Sequence, residues 1–179
     1  MVLVFLAEGF EEIEALATVD ILRRAGLEVV TAGVGGTLIT GAHGIQVVAD
    51  TEDSQVRLDG LQAVILPGGM PGTTNLEMSA FVQRAIDNTA AQEGYLCAIC
   101  AAPSILGHRG LLKGRRAVCF PGFEKDCEGA LMQDDSVVED GGIITAKGAG
   151  AAMAFAYRIV ERLLSAECAD RLRESMQCR

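Results

Sequence analysis

The chain has no surplus of basic charge to offer a polyanion. Its 179 residues carry 15 Lys and Arg against 24 Asp and Glu, a formal net charge of −9. Electrostatic attraction to nucleic acid or to an anionic membrane surface is therefore not expected. A basic leader and a long apolar segment are also missing. Met1 runs straight into Val2–Leu6, which reads as a first strand, so neither a signal peptide nor a transmembrane helix is expected and the location expected is cytoplasmic. Histidine is scarce. His43 and His108 both lie far from the one Cys-x-x-Cys pair, Cys97 and Cys100, which excludes a zinc knuckle and leaves no metal expected. Repeats, low-complexity tracts and linker-like stretches are absent, and residues 1–179 read as one domain.

Half of the residues are apolar, enough for a real core and too many for a disordered chain. The six cysteines, Cys97, Cys100, Cys119, Cys127, Cys168 and Cys178, are expected as free thiols in a reducing compartment. Apolar strands alternate with helical patterns, which predicts an α/β fold with a mostly parallel sheet and helices on both faces. The strands are expected at Val2–Leu6, Glu28–Ala32, Ile45–Val48, Ala63–Leu66, Gly94–Ile99 and Ala117–Phe120. A hairpin of Val137–Glu139 with Ile143–Ala146 follows. Helices are expected over Glu11–Ala25, Ala80–Ala91, Ala151–Leu164 and Ala166–Met176.

The sharpest local signal is Tyr95-Leu96-Cys97-Ala98-Ile99-Cys100-Ala101-Ala102-Pro103. An apolar run ends in a cysteine, and small residues and a proline follow. That is the pattern of a strand bending into a helix with a reactive side chain at the bend. Cys100 would then sit at a helix N-terminus, where free N–H groups favour a thiolate. Cys97, three residues back in the strand, lies too far along an extended chain for a disulfide to Cys100 and reads as a core cysteine. Pro67-Gly68-Gly69 closes another strand. Gly69 and the N–H of Ala101 are candidates for an oxyanion hole beside Cys100, at the carboxyl ends of parallel strands. Glu11, Glu12 and Glu14 open the first helix at the same edge. Glu11 and Glu12 taken alone read as solvated helix-start carboxylates, whereas a partly buried glutamate there could hydrogen-bond a thiolate or serve as a base. Ser104 follows the bend without a histidine in reach, which weighs against a serine hydrolase. Lys147-Gly148-Ala149-Gly150 is a weak anion-binding signal. His43 and His108 read as exposed side chains.

These pieces together resemble the ThiJ/PfpI superfamily, on the branch of the Parkinson-disease protein deglycase (DJ-one) and its bacterial relatives. The resemblance is carried by Ala7–Glu14, Asp20–Gly26, Leu66-Pro67-Gly68-Gly69, Ala98–Pro103 and Lys147–Gly150. It implies a flavodoxin-like three-layer sandwich with a nucleophile elbow, a homodimer, and no cofactor. Carried over by position, Cys100 is the nucleophile and oxidation-sensitive thiol, Glu14 its acidic partner, and Gly69 and Ala101 the backbone donors. Gly68, His43 and Phe120 line the site. The implied activities are conversion of methylglyoxal to lactate without glutathione, removal of early glyoxal adducts from proteins or nucleotides, and peroxide sensing through a cysteine sulfinate. Two departures stand out. Phe120 occupies the place where many catalytic members carry a proton-shuttling histidine, and His43 lies near where relatives often carry an arginine. Ala101 in place of a histidine argues against a protease. The expectation is a cysteine-dependent enzyme acting on small reactive carbonyls or glycated groups. The alternative is a non-enzymatic redox sensor or redox-regulated chaperone in which Cys100 becomes a sulfinate.

Overall fold

Period-two alternation along the strands sorts the apolar side chains onto two faces, and that division sets the layers. The computed structural model describes residues 1–178. Along the chain it contains β1 (Val2–Leu6), α1 (Glu12–Arg24), β2 (Val29–Gly33), β3 (Leu38–Thr40), β4 (Gln46–Val48), β5 (Thr51–Glu52), β6 (Ala63–Leu66), α2 (Gly72–Met78) and α3 (Ala80–Ala91). It continues with β7 (Tyr95–Ile99), α4 (Pro103–His108), β8 (Arg116–Ala117), β9 (Leu131–Met132), β10 (Val137–Asp140), β11 (Ile143–Ala146), α5 (Ala152–Leu163) and α6 (Ala166–Ser175). Seven strands form one sheet in the order β10-β11-β7-β6-β1-β2-β5. Every neighbouring pair in it is parallel except β10 with β11.

Val2, Val4 and Leu6 of β1 share one face with Ile65, Cys97 and Ile99, and α1, α5 and α6 cover it through Leu22, Phe155, Ile159 and Ala169. Leu3 and Phe5 share the other face with Val64, Leu66 and Ala98, under Val82, Ile86, Ile105 and Leu106 of α3 and α4. Burial on both faces explains why these strands are continuous apolar runs, each large side chain contributing about 1.5–3 kcal/mol. The expected α/β sandwich is thus observed. Among the described residues no helix is long and apolar enough to cross a membrane.

Some local expectations need correction. Ala117–Phe120 is not a strand. Only Arg116–Ala117 pairs, with Leu131–Met132, outside the main sheet. Beyond Ala117 the backbone turns to other partners: Val118 N–H donates to Thr145 Oγ1 (3.0 Å) and Phe120 N–H to the Cys100 carbonyl (2.7 Å). Pro121 has no N–H to extend a ladder. The short elements β3, β5, β9 and α2 carry too few periodic residues to be read from sequence.

The parallel strands β1, β6 and β7 all end at one edge. The loop before α1, the Pro67-Gly68-Gly69 turn and the bend at Cys100 meet there, where α/β sheets gather ligands.

Candidate active site

β7 stops at Ile99 because the next residue leaves the extended region. Cys100 has φ +64°, a left-handed conformation that costs a non-glycine residue about 1–2 kcal/mol. Backbone bonds on both sides hold it there: its N–H donates to Ala146 of β11 (2.9 Å) and its carbonyl accepts from Phe120 (2.7 Å). The Ala102 N–H closes the turn on Ile99 (3.1 Å), and Pro103 starts α4. This is the expected strand–bend–helix, with the half-buried Cys100 thiol facing the edge loops.

Glu14 comes from the first turn of α1 and is 1 % exposed. Its helix is fixed by Glu11, the N-cap, whose side chain accepts the Glu14 N–H (2.7 Å). Glu14 Oε2 accepts the Gly68 N–H (2.8 Å). Oε1 meets no nitrogen or oxygen donor among the described residues, and the carboxyl interacts with the Cys100 thiol. Gly69, at φ +88°, and Ala101 direct backbone N–H groups at the Cys100 sulfur. Cys100, Glu14, Gly68, Gly69 and Ala101 therefore share one site.

Glycine at 68 is demanded by that closeness. A Cβ there would lie 2.6 Å from the Cys100 Cβ and 2.8 Å from Glu14 Oε2. Gly68→Ala is expected to destabilise by about 1–3 kcal/mol and to separate thiol from carboxyl. Urea unfolding and thiol titration would check this, and a variant matching wild type in both would refute the packing argument.

The electrostatics reverse one expectation. A helix-N-terminal thiolate was expected at Cys100. Instead burial pushes its thiol up to about 12, with further rises from the Glu14 charge and hydrogen bond, against partial relief from the Gly69 and Ala101 N–H groups. The physical reason is that burial beside the Glu14 carboxyl outweighs the backbone N–H groups that reach the sulfur. Burial likewise raises Glu14 to about 7, despite its bonds from Gly68 and Cys100, with Glu11 adding to the rise. Near neutrality the site thus presents a thiol beside a half-ionised base.

Glu11 and Glu12 do not face water. Both are buried, because the turn between β3 and β4 folds over the start of α1. Glu12 accepts from the His43 backbone N–H (2.7 Å) and pairs with its ring Nδ1 (2.7 Å), while Glu11 Oε1 lies 3.9 Å from that nitrogen. His43 is exposed, as expected, but tied. Burial works to raise Glu12, and the His43 bonds outweigh it and leave it lowered; His43 is raised by the same pair. The raised histidine adds stability below its unfolded value near 6.5 that fades as pH rises through its folded value. The lowered glutamate adds stability above about 4.5 that fades as pH falls through its folded value. The pair is therefore complete between about pH 4.5 and 6.5. The ligand atoms of Glu11, Glu12 and His43 lie within 4.8 Å of one another, a grouping that these mutual bonds account for.

Phe120 is half-exposed and lies over Gly148, where a Cβ would come 3.2 Å from its ring and 4.0 Å from Glu14 Oε1. Phe120, Pro121, Ser136 and the 147–151 loop line an open cavity of about 420 Å³, which neither Glu14 nor Cys100 lines. Lys147 turns its ammonium to the Asp134 carbonyl (3.1 Å), away from Cys100. Ser104 donates to the Ala101 carbonyl (2.7 Å). His108 bridges Glu77 (2.6 Å) and Asp126 (3.5 Å) outside the site. Sequence reasoning missed Thr145 as the side chain that aims the 118–121 segment, since a strand threonine carries no distinguishing signal.

Residues 1–162 match the DJ-1/PfpI family. The chain is 36 % identical to protein dj-1beta of Drosophila melanogaster over 168 residues, covering 92 % of this chain and 90 % of that one. It is 34 % identical to the glutathione-independent glyoxalase DJR-1.2 of Caenorhabditis elegans over 157 residues, 87 % of this chain and 84 % of that one. The fold superposes on a crystal structure of a cysteine-to-alanine mutant of a DJ-1 superfamily protein from Salmonella typhimurium. The TM-score is 0.94 at 37 % identity, with 99 % of this chain and 98 % of that one covered.

Proposed function

The chain belongs to the DJ-1/PfpI family, and from that premise we propose that it is a cysteine-dependent enzyme of small reactive carbonyls that converts methylglyoxal to lactate without glutathione. The observation that carries this reading is Glu14, a buried carboxyl raised to about 7, with Oε1 unpaired among the described residues, beside a thiol that keeps its proton. A base of that strength can take the thiol proton at the moment of attack.

The Cys100 sulfur bonds to the aldehyde carbon as Glu14 accepts the thiol proton. The carbonyl oxygen, held by the Gly69 and Ala101 N–H groups, takes that proton and a hemithioacetal results. Ionised Glu14 then removes the hydrogen on that carbon and returns it to the neighbouring carbon, while the hydroxyl proton passes between the two oxygens. The product is a lactoyl thioester. Water attacks it, the carbon–sulfur bond breaks, and Cys100 recovers its proton. Net, one methylglyoxal and one water give one lactic acid. In an early glyoxal adduct the same carbon already carries a hydroxyl and the protein or nucleotide heteroatom. The carbon–heteroatom bond breaks and the protonated heteroatom leaves as the Cys100 sulfur bonds, giving the same hemithioacetal. No step requires a side-chain base at Phe120. The proposed assembly is a homodimer, which would cover the exposed Ile13 of α1 and Met153 of α5.

Lactate release from methylglyoxal without glutathione, followed from pH 5.5 to 8.5, tests the reading. The rate is expected to rise through about pH 7 as Glu14 ionises. Folded protein that releases no lactate across that range would reject it. The second reading, oxidation of Cys100 to a sulfinate, is favoured by one feature: a carboxyl that is still protonated near neutrality can donate to a sulfinate oxygen.

A further inference from the structure

A second pair of sulfur atoms lies apart from Cys100. Cys119 follows the end of β8. The chain then turns (Phe123 N–H to Phe120 carbonyl, 3.1 Å), passes through a 3-10 turn at Glu124–Asp126, and reaches Cys127, whose N–H donates to Glu124 (3.2 Å). The loop is pinned at its base, where Leu131 and Gln133 donate to Arg115 (2.8 Å) and Ala117 (2.9 Å). Cys127 is also pressed on α4, since a Cβ at Gly107 would lie 2.6 Å from the Cys127 Cα. The result is two thiols, 3 % and 2 % exposed, buried in one apolar cluster beneath α4 and close enough for each to shift the other's titration. A cavity of about 180 Å³, lined by Cys119, Pro121, Glu124, Gln133 and Lys147, reaches Cys119 from solvent. Cys127 does not line it.

We propose that Cys119 and Cys127 form a peroxide-reactive dithiol that closes to an intrachain disulfide, with Cys119 the attacking thiol and Cys127 the resolving one. The step balances with a hydroperoxide as oxidant. The Cys119 sulfur bonds to one peroxide oxygen, the O–O bond breaks and water leaves, giving a sulfenic acid. The Cys127 sulfur then displaces the second water as the S–S bond forms. Two thiols and one hydrogen peroxide give one disulfide and two waters. The roles agree with the electrostatics. The neighbouring Cys127 thiol holds Cys119 below the ordinary thiol value against burial and the Glu124 and Asp126 charges. The same interaction, with burial, drives Cys127 up. The loop between the two sulfurs carries Phe120 and Pro121, so closure restrains one wall of the cavity that they line with the 147–151 loop. The proposal does not rest on the carbonyl chemistry.

The test is equimolar hydrogen peroxide on the full chain, quenched with catalase, alkylated, digested with trypsin and weighed. The expected product is a cross-link between the peptides Ala117–Lys125 and Asp126–Lys147, about 2 Da lighter than the two thiols and reversed by dithiothreitol. It is expected in wild type, which avoids any question of a variant's folding, and to persist in Cys100→Ala. In Cys127→Ser a Cys119 sulfenic acid is expected to be trapped by dimedone. Both cysteines recovered alkylated while Cys100 carries oxygen would overturn the proposal. So would a Cys119 disulfide to any other cysteine, or a cross-link that vanishes in Cys100→Ala.

Discussion

Cys100→Ser is expected to lose at least about 10³-fold in lactate formation from methylglyoxal while unfolding within about 1 kcal/mol of wild type. The two readouts separate chemistry from folding. The bend at residue 100 is held by backbone bonds to Ala146 and Phe120 that a serine keeps, so the fold has little reason to change. The chemistry does. A Glu14 carboxylate near 7 is matched to a polarisable thiol that gives up its proton during attack, and a serine hydroxyl is a far weaker acid and a poorer nucleophile at the same place. Retention of a tenth of the wild-type rate would remove Cys100 from the reaction. The same variant serves the redox reading. Mild peroxide should add two oxygens, about 32 Da, to the wild-type peptide holding residue 100 and none to the corresponding peptide of the variant.

What could be read from sequence followed from how local the cause was. The bend at Cys100 was legible because strand, small residues and proline are contiguous and each constrains the same few dihedrals. The pairing of Gly68 with Glu14 was legible as proximity, since parallel strands bring their carboxyl ends to one edge. The carboxylates at 11 and 12 were misread as solvated. Their burial depends on the β3–β4 turn, thirty residues away, folding over the helix start. The strand expected at Ala117–Phe120 failed for a similar reason, because Thr145 and Cys100 compete for its N–H groups. The thiolate expected at Cys100 failed on magnitude. Backbone N–H groups from Gly69 and Ala101 lower the thiol, but for a half-buried sulfur beside a carboxyl they are outweighed by burial. The dithiol of Cys119 and Cys127 had no spacing signature, and only the return of the 118–127 loop onto α4 creates it.

Glu14→Gln is expected to lower lactate formation by about 10²–10⁴-fold and, at pH 8, to make the protein more stable. The sign of the second effect follows from the raised value. Folded Glu14 holds its proton up to about 7, whereas the unfolded chain releases it near 4.5. Between those values the folded state binds more protons, so its stability falls as pH rises, and above about 7 the deficit is complete. A shift of that size corresponds to about 3 kcal/mol, an upper figure for a group at this depth. Cys100 adds nothing to the slope below pH 8, since its thiol is protonated in both states there. Glutamine keeps an acceptor for the Gly68 N–H and carries no charge, so it removes the deficit without opening a cavity. Urea unfolding at pH 5 and pH 8 separates the cases. Equal stability at pH 5 and a gain for the variant at pH 8 are expected. A variant no better relative to wild type at pH 8 than at pH 5 would show that the buried carboxyl is not strained by its charge. Catalytic strength and fold stability would then be set independently at this position, whereas the geometry ties both to the one proton of the buried Glu14 carboxyl.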